Sequence, residues 1–147
     1  MRIIITGSAG TIGNVLMRGL KEKHDLLGVD CQYMTQLRER DGQFVQLDLA
    51  SGVPTFDALV EKTKPDALIH LAWDVRESSS GFPDRLDDKI RVAHESNERM
   101  IRNVLRSVVR HKVPRLMLAS SVHAAIGHLG GYEYPASIRE RTRHGAF

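Results

Sequence analysis

The chain has a single cysteine, Cys31, among its 147 residues. An internal disulfide is therefore excluded, and the composition is typical of a protein from a reducing compartment, which predicts a cytoplasmic location. No apolar run approaches the ~20 residues that a transmembrane helix needs. The short apolar segment at the start leads into glycines, so it predicts a strand and not a signal peptide. We therefore expect no membrane partner.

The chain also has little excess charge of either sign. Its 21 Lys and Arg residues are nearly balanced by 18 Asp and Glu residues, so the net charge is +3. The basic residues concentrate in stretches such as 99–115 and 139–143, which we interpret as solvated helix faces and a basic tail. No nucleic-acid-binding motif accompanies them, so no nucleic-acid partner is predicted. The seven histidines show no ligand spacing, and no metal site is predicted.

Against these absences stands a glycine-rich segment, Thr6–Gly13, that directly follows three isoleucines. Gly7 allows a tight turn after a strand, and Gly10 allows a pyrophosphate to approach the backbone. Gly13 allows the following helix to pack close to the strand. The helix start would then present its N–H groups and the positive end of its dipole to the phosphates. The alternative is a glycine-rich turn that binds no ligand.

An acidic residue, Asp30, ends the second apolar segment at the spacing expected for a dinucleotide site. A carboxylate there would bind the adenosine ribose hydroxyls and repel a 2′-phosphate, so NAD is predicted over NADP. Arg38 and Arg40 lie nearby in sequence and weaken this preference only slightly. The alternative is a solvent-exposed acid at a strand end.

Apolar segments alternate between strand-like and helix-like patterns along the chain, which predicts an α/β doubly wound parallel sheet of the Rossmann type. With right-handed crossovers and a switch point after the first strand, the expected strand order is 3-2-1-4-5. We predict one domain over residues 1–147, with 127–147 as a loop and tail. The predicted strands are 2–6, 25–30, 43–47, 67–71 and 115–119, and the predicted helices are 11–23, 54–62 and 86–111.

Together with the glycine motif, the pairs Asp48-Leu49 and Ser120-Ser121 and the triplet His70-Leu71-Ala72 resemble the extended short-chain dehydrogenase/reductase family. This family contains NAD-dependent sugar epimerases, dehydratases and related dehydrogenases. The segment 121–127 is closer to the uronate dehydrogenase style of this loop than to the common epimerase style. The resemblance implies NAD as the cofactor and a sugar or nucleotide-sugar substrate. It implies cofactor contacts by Gly7, Gly10, Thr11, Ile12, Gly13, Asp30, Asp48, Leu49, Leu71 and Ala72.

Several of these positions also have simpler interpretations. Asp48, which the resemblance places at the adenine edge, could be a turn acid. Ser121, the family's proton-relay serine, could be a strand-end serine bonded to backbone, and Ser120 is the second choice for that role. Asn97 is interpreted as a buried polar residue that bonds backbone near strand four. Trp73 departs from the small residue usual after His-Leu-Ala, which alters the expected pocket near the nicotinamide.

The sequence departs from the family where its chemistry requires a Tyr-x-x-x-Lys pair about 25 residues after the serine. No lysine follows Lys112, and Tyr132 and Tyr134 come too early. We therefore expect the C-terminal part of the family fold to be missing and the chain to be the catalytically incomplete cofactor-binding part of a sugar oxidoreductase. The alternatives are a non-catalytic dinucleotide-binding or regulatory module and a truncated remnant.

The apolar residues of the long helix, 86–111, indicate a homodimer. They spread over more than one side of a 3.6-residue helix, so they cannot all face the sheet. A two-fold partner would cover the remainder. The alternative is a monomer whose tail, residues 128–147, folds over the helix. The residues concerned are Ile90, Met100, Ile101, Val104, Leu105 and Val108.

Overall fold

The computed structural model describes residues 1–32, 43–74 and 88–120, and in the last of these ranges the side chains from residue 92 onward. None of the helices in these ranges is long and apolar enough to cross a bilayer. The strands are β1 (Arg2–Thr6), β2 (Asp25–Asp30), β3 (Phe44–Gln46), β4 (Ala67–His70) and β5 (Leu116–Leu118). The helices are α1 (Thr11–Leu20), α2 (Val53–Thr63) and α3 (Asp88–Arg110).

The five strands form one sheet in the order β3-β2-β1-β4-β5, and every neighbouring pair is parallel. This confirms the predicted fold class and strand order. The central strand β1 pairs with β2 on one side and β4 on the other, and Ile4 lies level with Leu27 and Leu68. The connection after β1 therefore leads to β2 in one half of the sheet. The connection after β3 crosses to β4 in the other half.

Both faces of the sheet are covered, which explains why β1 is apolar without alternation. On one face Ile4 packs with Phe56 of α2 and Val104 of α3 in a fully buried cluster. On the other face Ile3 and Ile5 belong to a cluster with Met17 of α1. Because the strands are parallel, the helices on both faces begin near the edge of the sheet where the strands end.

The predicted element boundaries hold for β1 and β2 and differ slightly elsewhere. The helix predicted over 11–23 ends at Leu20, because the N–H groups of Lys23 and His24 both turn back to the Leu20 carbonyl at 3.0 Å. The strand predicted over 43–47 is limited to Phe44–Gln46. The long helix, predicted over 86–111, is described over Asp88–Arg110.

A polar cluster joins α2 to α3 on the sheet face that they share. Asp57 accepts hydrogen bonds from Ser107 Oγ at 3.0 Å and from His111 Nε2 at 2.9 Å, and its other oxygen lies 3.1 Å from Arg110 Nη1. Burial favours the neutral acid, but these hydrogen bonds and the Arg110 charge outweigh it and hold the pKa of Asp57 below its ordinary value. The charged carboxylate therefore links the two helices at neutral pH.

Candidate functional site

A cleft of about 460 Å³ opens at the carboxyl ends of β1, β2 and β4. At this point the connections from neighbouring strands lead to opposite halves of the sheet. Such a switch point is the usual ligand site of open parallel sheets. Seven of the residues predicted to contact a cofactor line this cleft. They are Gly7, Gly10, Asp30, Asp48, Leu49, Leu71 and Ala72.

The turn after β1 and the helix that follows it are packed so closely that Gly7 in the turn and Gly13 in α1 must both be glycine. Gly7 has φ of +73°, and a Cβ there would lie 2.6 Å from the Ala72 backbone nitrogen. A Cβ on Gly13 would lie 2.1 Å from the Gly7 carbonyl oxygen, so no side chain fits between α1 and the turn. The Gly10 N–H closes the turn on the same carbonyl at 3.1 Å. The glycine spacing therefore produces the close helix packing expected from the sequence.

Helix α1 begins at this turn with its backbone donors uncapped. Gly10 is the N-cap residue, and within this described segment no side chain caps the helix and no acidic residue lies in its first turn. The first N–H in the helix with a carbonyl partner is that of Asn14, which bonds to Gly10 at 2.9 Å. Thr11 and Ile12 lie in the first turn with exposed side chains. Such a helix start attracts an anion through its free N–H groups and its dipole.

Asp30 holds its carboxylate at the edge of the glycine turn. Its Oδ2 accepts a hydrogen bond from the Ala9 N–H at 2.9 Å, and its Oδ1 accepts one from the Gln32 N–H at 2.9 Å. A carboxylate offers about four acceptor positions, so both oxygens retain room for a hydroxyl donor. The group is thus a fixed, partly exposed acceptor that fits a ribose diol.

The neighbouring cysteine is not activated. Burial and the Asp30 charge raise the pKa of the Cys31 thiol, which therefore stays protonated at neutral pH. Its side chain is free and exposed at the cleft. A protonated thiol is a weak nucleophile, so this environment does not favour covalent chemistry at Cys31.

Asp48 has the turn role that the sequence left open. Its Oδ1 accepts from the Ala50 N–H at 2.9 Å and its Oδ2 from Ser51 Oγ at 2.8 Å, in the turn that precedes α2. The next residue, Leu49, is fixed from α3, because Asn103 Nδ2 donates to its carbonyl at 2.8 Å. Both residues line the cleft, and adenine contact at this position stays a prediction.

The segment after β4 is fastened to α3 by Asn97. This buried amide accepts from the Asp74 N–H at 2.6 Å and donates to the Asp74 carbonyl at 3.2 Å. The prediction that Asn97 bonds backbone near strand four is confirmed. Trp73, immediately before the fastened residue, lines the cleft with 57% of its surface exposed.

His70, the last residue of β4, is buried and bonded through Nδ1 to Thr6 Oγ1 at 2.7 Å. Its Nε2 has no hydrogen-bond partner among the described residues. Burial lowers the pKa of His70 to about 4, so the ring is neutral at pH 7. The described part of the chain has no group of residues able to hold a metal ion, and His70 is a packed histidine beside the site.

Helix α3 also borders the cleft through Ser96 and Met100, which was not predicted from the sequence. These two residues are four apart and so share a helix face, which was the available signal. Gln32 and Leu47 also line the cleft and carry no distinctive pattern. Ser121, the predicted relay serine, lies outside the described residues.

The model of a family described as the NAD dependent epimerase/dehydratase family matches residues 3–145 of the chain. No curated protein matches this chain. Among solved structures, a UDP-glucose-4-epimerase from Stenotrophomonas maltophila with bound NAD and formylated UDP-arabinopyranose is similar at 26% identity and a TM-score of 0.68. The match covers 92% of this chain and 40% of that one.

Two further structures share the fold at lower identity. An L-threonine dehydrogenase from Clostridium difficile has a TM-score of 0.68 and 23% identity over 84% of this chain and 37% of its own. The Bordetella bronchiseptica enzyme WbmG in complex with NAD has a TM-score of 0.62 and 19% identity, over 80% and 36%. The chain thus spans about two fifths of the length of these solved proteins.

Proposed function

The chain belongs to the NAD-dependent epimerase/dehydratase family, and from this premise we propose that it binds NAD in the cleft at the carboxyl ends of β1, β2 and β4. The observation that carries the proposal is the glycine cradle. A Cβ on Gly7 or Gly13 would meet backbone at 2.6 or 2.1 Å, while the start of α1 keeps free donors beside the same turn. This arrangement fits a pyrophosphate.

The positions of the strand ends support the remaining contacts of this proposal. The Asp30 carboxylate binds the adenosine ribose hydroxyls, and Asp48 with Leu49 borders the adenine. The Leu71 and Ala72 backbone, which abuts the glycine turn, borders the far side of the pyrophosphate. A 2′-phosphate would bring negative charge against Asp30, so NAD is favoured over NADP.

In function the chain is then the NAD-binding part of a sugar oxidoreductase, with a nucleotide sugar as the substrate class. Support comes from the family and from the similar epimerase structure that contains a UDP-sugar. The nicotinamide of the bound cofactor would accept or return a hydride. Ser121 would polarise a substrate oxygen beside it.

The homodimer and the cytoplasmic location belong to the same proposal. Of the predicted stripe on α3, Met100, Val104 and Val108 are buried in the core, whereas Leu105 is 39% exposed. Val109, one turn after Leu105, is 75% exposed. These two residues offer an apolar face to a second copy.

Titration calorimetry with NAD and with NADP tests the cofactor assignment. The unmodified chain should bind NAD more tightly, and Asp30→Asn should narrow the ratio of the two affinities because the repulsive charge is gone. Asp25→Asn is the matched control, since it removes an equal charge at the other end of β2, and it should leave the ratio unchanged. Equal binding of both cofactors by the unmodified chain, or tighter binding of NADP, would contradict the proposal.

A further inference from the structure

Trp73 is the only tryptophan of the chain, and it is one of the residues that line the cleft. More than half of its surface, 57%, is exposed. A large apolar ring in water forgoes the burial that usually accompanies tryptophan in a folded protein. A ligand that covered this ring would recover that free energy of burial. The ring borders the same cleft as the glycine turn and α3.

The backbone on both sides of Trp73 is fixed. Before it, Ala72 abuts the glycine turn so closely that a Cβ on Gly7 would lie 2.6 Å from the Ala72 nitrogen. The Leu71 N–H also bonds to the Thr6 carbonyl at 3.0 Å. After it, both backbone polar groups of Asp74 are bonded to the buried Asn97 amide. The indole therefore projects from a backbone that is already in place before any ligand arrives.

The sheet order determines which part of a dinucleotide reaches this ring. In the proposed complex the glycine turn after β1 would hold the pyrophosphate. Strand β2, which ends at Asp30, lies on one side of β1. Trp73 follows β4, which lies on the other side of β1. An extended dinucleotide that has its adenosine ribose at Asp30 must therefore extend its nicotinamide half past the end of β4.

We propose that Trp73 packs its indole against the nicotinamide half of the bound dinucleotide and positions it over the carboxyl end of β4. This inference rests on the proposed NAD binding. The face of an indole matches both the flat nicotinamide ring and the apolar face of its ribose, and offset stacking of such rings adds to the area that they bury. The positive charge of the oxidised nicotinamide adds an attraction to the electron-rich indole face. Trp73 is thus a positioning residue.

The test compares NAD with ADP-ribose, which has the same adenosine half and pyrophosphate but no nicotinamide. We expect Trp73→Ala to weaken NAD binding about five- to tenfold, because one aromatic contact is lost. ADP-ribose should bind to this variant as it does to the unmodified chain. Trp73→Phe is the matched control, since it keeps an aromatic face, and it should restore most of the NAD affinity.

Fluorescence provides a second readout, because Trp73 is the only indole and its emission is free of other tryptophans. NAD should quench this emission and ADP-ribose should not. Equal weakening of both ligands by Trp73→Ala, or equal quenching by both, would overturn the assignment of Trp73 while leaving NAD binding in place. Failure of both ligands to bind the unmodified chain would instead overturn the proposed function, and this inference with it.

Discussion

Gly13 and Gly19 both lie in α1, and the same added methyl group should have opposite effects at the two positions. A Cβ on Gly19 meets no atom within 4 Å. A Cβ on Gly13 would lie 2.1 Å from the Gly7 carbonyl oxygen and 2.7 Å from Ser8 Cα. Both of these neighbours are in the backbone, so no change of rotamer can relieve the contact.

The size of each effect follows from the contacts. To accommodate Gly13→Ala, the start of α1 must move from the glycine turn by about 1 Å, because non-bonded heavy atoms do not approach much below van der Waals distance. Overpacking of this kind typically costs ~1–3 kcal/mol, and the better helix propensity of alanine returns at most ~1 kcal/mol. For Gly19→Ala only the propensity gain applies. In a chain of this size ~1 kcal/mol shifts the melting temperature by ~2–4 °C.

Thermal unfolding followed by circular dichroism measures the difference. Gly13→Ala should lower the melting temperature by up to about 8 °C, and Gly19→Ala should raise it by about 2–4 °C. Gly13→Ala should also weaken ADP-ribose binding, since it displaces the Gly7 carbonyl that closes the turn. If Gly13→Ala melted at or above the temperature of Gly19→Ala, the close packing of α1 on the turn would be refuted.

Two further outcomes are expected. Burial lowers the pKa of His70 from 6.5 to about 4. Between these pH values the unfolded chain binds a proton that the folded chain does not bind, so the free energy of unfolding falls by up to ~3 kcal/mol as the pH drops from 6.5 to 4. Urea unfolding should show a smaller loss over this window for His70→Asn, and equal losses would contradict the burial argument. Light scattering should give a mass above the 16.5 kDa monomer, and Val109→Lys on the exposed face of α3 should reduce it, whereas a clean monomer for the unmodified chain would rule out the dimer.

The fold was predictable because its signals are local. Three isoleucines before Gly7, an acid at Asp30 and the alternation of strand and helix patterns each depend on residues close in sequence. They require only general rules of handedness to give the order of the sheet. The boundary errors, such as the early end of α1 at Leu20, arise because hydrogen bonds at a helix end decide among several residues of similar propensity.

The polar contacts that position the helices were less accessible. Asp57 and its partners Ser107 and His111 are about 50 residues apart, and nothing in either segment marks the other. The bond from Asn103 to the Leu49 carbonyl spans 54 residues in the same way. Such contacts depend on how α2 and α3 come together on the sheet, which the apolar pattern fixes only to a face and not to a rotation.

Asp30 and Asp48 show how the same local pattern can serve different roles. Asp30 ends β2 and Asp48 lies two residues after β3. Both line the cleft, and in each both carboxylate oxygens already accept hydrogen bonds. The partners of Asp48 are only two and three residues ahead, so its carboxylate shapes its own turn. One partner of Asp30 is Ala9, 21 residues back in the glycine turn. The carboxylate that would recognise the ribose therefore also holds the pyrophosphate turn against β2, which is why asparagine, which keeps an acceptor there, separates the charge effect from the turn better than alanine.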